Sequence, residues 1–265
     1  MSLTLGSGPF GRHPAGVFNS TIDGPEHLLY FEPFARRIRG LIGGETVVDT
    51  TGGMLLYEST LKPVLYVPED DVRADLIEAT GHSTFCPYKG DASYWSAAGV
   101  ENALWGYKQP IETAEFLRGY VAPYWNLFDS WFEEDEGLTR GLRDPYHRVD
   151  VRETGAHVTV RANGDVLAES DRARLLFETG IPARAYLPLE DVREDLLART
   201  ETESVCPYKG TASYWSVGEL ADVAWSYRNP IPEAGAIEGL VSFMGDGVEV
   251  EITRLTLPSG SPSSE

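Results

Sequence analysis

Two cysteines in 265 residues are too few for a disulfide framework or a four-thiolate zinc site. One bridge between Cys86 and Cys206 is the most the chain could form, and nothing in the pattern requires it. So few thiols suit a cytoplasmic protein that keeps them reduced. Positive charge is also scarce. The chain has 22 Lys and Arg against 41 Asp and Glu, a formal net charge of -19. Such a surface repels phosphate backbones and anionic lipid, so neither nucleic acid nor membrane is an expected partner. Its bland role is to keep the protein soluble. No apolar run approaches the roughly 18 residues of a membrane helix. Met1 to Gly16 lacks the basic start and apolar core of a signal peptide. A hydrophobic fraction of 42% is ordinary for a globular chain.

What is present is a repeat. The eleven residues Cys86-Pro87-Tyr88-Lys89-Gly90-Asp91-Ala92-Ser93-Tyr94-Trp95-Ser96 return at Cys206 to Ser216 with one change, Asp91 to Thr211. The same offset of 120 residues aligns Glu58 with Glu178, Tyr66 with Tyr186, Pro68 with Pro188, and Asp71-Val72-Arg73 with Asp191-Val192-Arg193. It also aligns Trp105, Tyr107, Pro110 and Ile111 with Trp225, Tyr227, Pro230 and Ile231, without a gap from about Arg37 to Gly119. A period this long means tandem domains, since solenoid repeats run to roughly 20–50 residues. Each copy is near the usual size of a domain with its own core.

The local pattern predicts a mainly β fold with short helices, a β-rich α+β class, in two similar compact domains. His157 to Val160 and Asp165 to Ala168 alternate around Asn163-Gly164, a hairpin signal matched in the first copy by Gly43-Gly44. Leu55 to Glu58 and Pro63 to Val67 read as the next strands, as do Leu175 to Glu178 and Ala183 to Leu187. Pro68-Glu69-Asp70-Asp71 opens a short helical turn with acids at its start. Val72 and Leu76 then face inward. Tyr124 to Phe132 places Leu127, Phe128, Trp131 and Phe132 at helical spacing, which predicts an amphipathic helix frayed at its acidic end. The expected layout is a first domain over 1–136 ending in that helix, a linker over 137–145, a second domain over 146–257 and a disordered tail over 258–265.

The repeated segment reads as strand, turn, strand, with Gly90 relieving the turn. On the returning strand Tyr94 faces opposite to Ser93 and Trp95. The Cys-Pro-x-Lys-Gly core, the upstream Glu…Pro…Tyr-x-Pro-x-x-Asp-Val elements and the downstream Trp-x-Tyr-x-x-Pro resemble the domain-of-unknown-function 427 family, which also carries a nucleotidyltransferase-type label. The resemblance spans roughly residues 17–136 and 146–246. It implies a compact β-rich domain, sometimes in tandem, and no particular activity.

Two readings of the motif stand beside each other. In one, Cys86, Lys89, Cys206 and Lys209 are catalytic candidates, the thiolate being favoured by the neighbouring ammonium. Glu58, Tyr88, Ser93, Tyr94 and Trp105 then line a small-molecule site, as do Glu178, Tyr208, Ser213, Tyr214 and Trp225. In the other, each cysteine is a small buried side chain and each lysine closes its domain against Glu58 or Glu178, so the motif is a folding turn of an interaction module. A cysteine nucleophile needs a base, and no histidine is shared: His82 aligns with Thr202 and His157 with Arg37. Nucleotidyl transfer ranks third. The chain has no Gly-x-x-x-x-Gly-Lys-Ser/Thr loop and no Gly-Ser element followed by alternating acids. Asp70-Asp71 and Glu190-Asp191 diverge on a turn and suit capping better than a metal pair. Arg73 and Arg193 read as anion binders or as surface ion pairs, the latter preferred. A small-molecule ligand is expected, and neither a cofactor nor a metal. A monomer with its domains as a pseudo-twofold pair completes the expectation.

Overall fold

The computed structural model describes residues 3–19, 24–138 and 141–254. The chain divides into two compact units, Met1–Tyr146 and His147–Glu265. The first unit contributes β1 (Leu29–Pro33), β2 (Ile38–Ile42), β3 (Glu45–Thr50), β4 (Met54–Glu58), β5 (Val64–Pro68) and β6 (Ile77–Cys86). They are followed by β7 (Gly90–Ala97), β8 (Val100–Gly106), β9 (Tyr120–Pro123), β10 (Ser130–Glu133) and β11 (Glu136–Leu138). Seven of these form one sheet in the order β1-β4-β5-β9-β8-β7-β6, and four form another, β11-β10-β2-β3.

Strand alternation gives the larger sheet two buried faces. Leu55, Tyr57, Leu65, Val67, Ala97 and Leu104 point into a core shared with Ile38, Val47, Val48 and Trp131 of the smaller sheet. Their neighbours Leu56, Tyr66, Ala92, Tyr94 and Ala122 point the other way, into a second cluster capped by Ala114 and Leu117. The caps sit on the 3-10 turn Glu112–Leu117. This second face carries the motif.

The second unit repeats the plan with β12 (Val149–Glu153), β13 (His157–Ala162), β14 (Asp165–Ser170), β15 (Arg174–Glu178) and β16 (Ile181–Tyr186). Then come β17 (Leu197–Cys206), β18 (Gly210–Val217), β19 (Leu220–Pro230), β20 (Val241–Phe243) and β21 (Val248–Thr253). β12-β15-β16 and β17-β18-β19-β20 are separate ladders. The Leu187–Val241 bridge, with reciprocal N–H to C=O bonds of 2.8 Å, joins their ends where β5 meets β9 in the first unit. β14-β13-β21 matches β3-β2-β10.

The predicted hairpins and strands are present, and the fold is mainly β. Its short helices are all 3-10 turns among the described residues. Glu69–Asp71 is one, with Val72 buried behind it. The acids there do not cap by side chain. Asp71 instead accepts the Thr50 hydroxyl at 2.6 Å, and Asp191 that of Ser170 at 2.6 Å, tying turn to strand. Arg73 and Arg193 form surface pairs with Asp75 and Asp195.

The expected amphipathic helix over 124–132 is not there. Trp125–Leu127 is a single 3-10 turn, and Ser130–Glu133 is a strand paired to β2. The free edge of β2 satisfies that backbone, and aromatic residues fit a strand as well as a helix. Trp131 is buried over Gly40, where a side-chain Cβ would stand 2.6 Å from the indole. Its N–H donates to the Trp125 carbonyl at 3.0 Å. The acidic end is no frayed terminus: Glu133, Glu134 and Asp135 pair with Arg36, the Arg37 N–H and Arg39. β11 occupies the first residues of the segment read as a linker. The tail over 258–265 lies outside the described residues.

Trp131→Ala is expected to destabilise the first unit by about 3–5 kcal/mol, the usual loss for a large buried aromatic, measured by urea unfolding. A loss under about 1 kcal/mol would show that the ring is not part of the core.

Candidate functional site

The site begins with a hairpin. Cys86 closing β6 pairs with Gly90 opening β7, and Pro87-Tyr88-Lys89 turns between them. The Lys89 N–H donates to the Cys86 carbonyl at 3.2 Å, and the Lys89 carbonyl accepts from the Ile111 N–H at 3.1 Å. Gly90 has φ +103, and a Cβ there would lie 3.3 Å from the Gln109 carbonyl oxygen. Gly210 has φ +107 and the same crowding, 3.1 Å from the Asn229 carbonyl oxygen. Only glycine fits a turn with that φ and so close a neighbouring backbone. The lysine is therefore held by its main chain before its side chain is considered.

Glu58, at the end of β4, points to the motif face with Leu56. One carboxylate oxygen accepts from the Lys89 ammonium and the other from His27 Nε2 at 2.8 Å. Glu178 does the same with Lys209 and with His147 Nε2 at 2.9 Å. A carboxylate only accepts, so Nε2 carries the hydrogen in each ring. Lys89 and Glu58 are 8% and 5% exposed, a burial that an unpaired charge could not survive. The histidine segment is fixed too. The Leu28 N–H donates to Ser59 Oγ at 2.8 Å, and the Arg148 N–H to Thr179 Oγ1 at 2.8 Å. His27 stacks on Tyr88 with ring centres 3.6 Å apart, and His147 lies 4.1 Å from Tyr208. Burial alone would raise the Glu178 carboxyl, but hydrogen bonds and charge from His147 and Lys209 outweigh it and bring the group down to about 2.

A histidine is thus shared by the two copies, contrary to the sequence reading. His147 stands 120 residues after His27, the offset of the motif. Carrying the alignment ten residues upstream of Arg37 would have found the pair. In each unit the histidine, the glutamate and the lysine are spaced by 31 residues.

Behind this cluster the wall is aromatic. Tyr94, Tyr107 and Tyr66 are buried, with Trp105 edge-on to Tyr66. Burial, followed by the nearby Cys86 and Glu58, pushes the Tyr107 hydroxyl up. The Tyr94 hydroxyl bonds Thr84 Oγ1 at 2.8 Å, as Tyr214 bonds Ser204 Oγ at 2.7 Å. Ser93 and Ser213 do not join them. Both share the opposite face of the strand with Trp95 and Trp215, and Ser213 is held there by Arg199 at 3.4 Å. Strand alternation, which already separated Tyr94 from Ser93, removes the two serines from the candidate ligand set. Cys86 and Cys206 are half-buried free thiols packed against the aromatic clusters.

In the second unit this face opens into a cavity of about 290 Å³. Glu178, Lys209, Tyr214 and Trp225 line it; Cys206, Tyr208 and Ser213 do not. Among the described residues no group of three or more His, Cys, Asp or Glu is spaced to hold a metal ion, and no helix is long and apolar enough to cross a membrane.

These features define a class: tandem β domains, each built from a seven-strand array on a smaller sheet, with a lysine–glutamate–histidine cluster on the motif face. The chain belongs to the family described as a domain of unknown function (DUF427), whose model matches residues 30–134 and 150–254. No curated protein matches it.

Lys89→Met alone is expected to cost about 3–5 kcal/mol by stranding the Glu58 charge, while Lys89→Met with Glu58→Leu recovers most of it. Equal losses in single and double variants would deny the pairing. A carboxyl held below its ordinary value stabilises the fold above that value and ceases to do so as pH falls through the lowered one. Glu178→Gln should therefore lower the urea midpoint at pH 7, and the gap to the parent protein should narrow from pH 4.5 down to about 2. A gap that does not vary with pH would mean that charge is not its cause.

Proposed function

We propose that the protein binds a small molecule on the motif face, beside the lysine–glutamate–histidine cluster. The observation that carries this reading is the cavity of the second unit. Its volume of about 290 Å³ falls near the lower end of small-molecule sites, roughly 300 Å³. Its walls combine the aromatic Tyr186, Tyr214, Trp225 and Tyr227 with the charged Glu178, Arg184, Lys209 and Asp222. That is the mixture ligand pockets use to combine affinity with orientation. Lys209 is engaged by Glu178 and Cys206 stands off the cavity wall, so the reading is one of binding and no covalent step is assigned to either.

The alternative, that the motif is a folding turn, has its own support in the first repeat. There the lysine, glutamate and histidine satisfy one another, Tyr88 covers His27, and Tyr124 lies over Trp105 with ring centres 4.3 Å apart. One domain of the pair then serves as scaffold and the other keeps the pocket.

The test is a screen of small aromatic fragments by protein-observed NMR. Hits should move the Trp225 indole N–H and the resonances of the second repeat. A screen whose hits all map elsewhere would sink the reading. Magnesium-dependent stabilisation by a nucleoside triphosphate would favour nucleotidyl transfer instead.

A further inference from the structure

Three lining positions differ in kind between the repeats. Arg184, Asp222 and Met244 line the cavity. At the same offset the first repeat has Val64, Asn102 and Tyr124. The backbone confirms the last equivalence: the Met244 N–H donates to the Val223 carbonyl at 2.9 Å, and the Tyr124 N–H to the Ala103 carbonyl at 2.9 Å. Tyr124 reaches across the first-repeat face. Its ring lies 4.3 Å from that of Trp105. Trp225, the equivalent of that partner, is a wall of the open cavity. A tyrosine thus occupies in one copy the space that a largely exposed methionine leaves accessible in the other.

Arg184 is the second observation. This chain is rich in carboxylates, and arginines such as Arg148, Arg172, Arg174 and Arg193 pair with them. Among the described residues no carboxylate lies within ion-pair distance of Arg184. Its guanidinium rests 5.2 Å from the centre of the Trp225 ring, and Nη2 stands 3.3 Å from the Met244 sulfur. A thioether is a weak acceptor, so a planar five-donor group faces the cavity without a strong acceptor. Such a fork suits a carboxylate or a phosphate.

Asp222 separates those two ligand classes. Its carboxylate accepts from the Thr200 hydroxyl at 2.6 Å and the Thr202 hydroxyl at 2.7 Å, which keep it ionised. Glu178 is balanced by Lys209 and His147. The cavity therefore offers one uncommitted cation beside one retained anion. A dianionic phosphate would meet Asp222 as well as Arg184, whereas a single carboxylate is matched by the arginine with less repulsion.

We infer that the second repeat alone binds an aromatic monocarboxylate, its carboxylate on Arg184 and its ring among Tyr186, Tyr214 and Trp225, while Tyr124 plugs the first repeat. The inference rests on the binding reading above and names its ligand class.

Isothermal titration of the full chain with phenylacetate, phenylacetamide and phenyl phosphate tests it. Phenylacetate should bind at one site per chain. The neutral amide should bind at least about tenfold more weakly, the worth of one charge-assisted hydrogen bond, and the phosphate should bind more weakly than the acid because it is repelled by Asp222. Arg184→Val, the first-repeat residue, should weaken phenylacetate about tenfold by the same argument. Met244→Tyr should abolish binding with the circular dichroism spectrum unchanged. If amide and acid bind alike and Arg184→Val has no effect, the ligand class is wrong and the binding reading stands. Tighter binding of the phosphate overturns the monocarboxylate. If none of the three probes binds, the aromatic monocarboxylate is overturned, and the fragment screen above decides the binding reading separately.

Discussion

A carboxylate buried at the end of a strand has to be neutralised where it stands, and the motif face of each domain is organised around that need. Glu58 draws a lysine from the β6–β7 turn and a histidine from the segment before β1. Glu178 does the same in the second domain. Each carboxylate thus ties three parts of the chain that share no local sequence. The cost of stranding one of these charges is larger than any single surface contact could offset. The hairpin turn, the glycine that permits it and the backbone bond to Ile111 or Ile231 are all consistent with delivering one ammonium to one place.

The same arrangement explains how identical motifs can support different faces. The ion cluster lies at the edge of the aromatic wall, so the wall can change without disturbing it. Tyr124 packs on Trp105 in the first repeat, whereas Met244 and Arg184 line a cavity in the second. Duplication preserves the scaffold through the cluster and the core behind the sheet. The outer lining is then free to diverge.

Much of this was legible along the chain, and the exceptions share a cause. The hairpin at Asn163-Gly164, the strands ending at Glu58 and Glu178 and the motif turn each depend on neighbours in sequence. The pairing of lysine with glutamate could be proposed because both residues fall inside the aligned block. The histidines lie outside it, in a stretch tied to the site by contacts across 31 residues or more. The segment over Tyr124 to Phe132 misled for a related reason. Four apolar residues at helical spacing also serve a turn followed by a strand, and the free edge of β2 chose between them.

The sequence by itself determined the duplication, the mainly β character of each copy and the strand–turn–strand form of the motif. It also separated Tyr94 from Ser93, since a strand alternates its faces whatever it packs against. Only the tertiary structure decided which histidine meets the glutamate, that Cys206 stands off the cavity wall in the second repeat, and that Tyr124 packs on Trp105 where Met244 meets Arg184. Those outcomes depend on contacts between strands distant in sequence. Periodicity and turn chemistry act over a few residues, whereas a buried charge or an open cavity is set by whatever the sheet brings beside it.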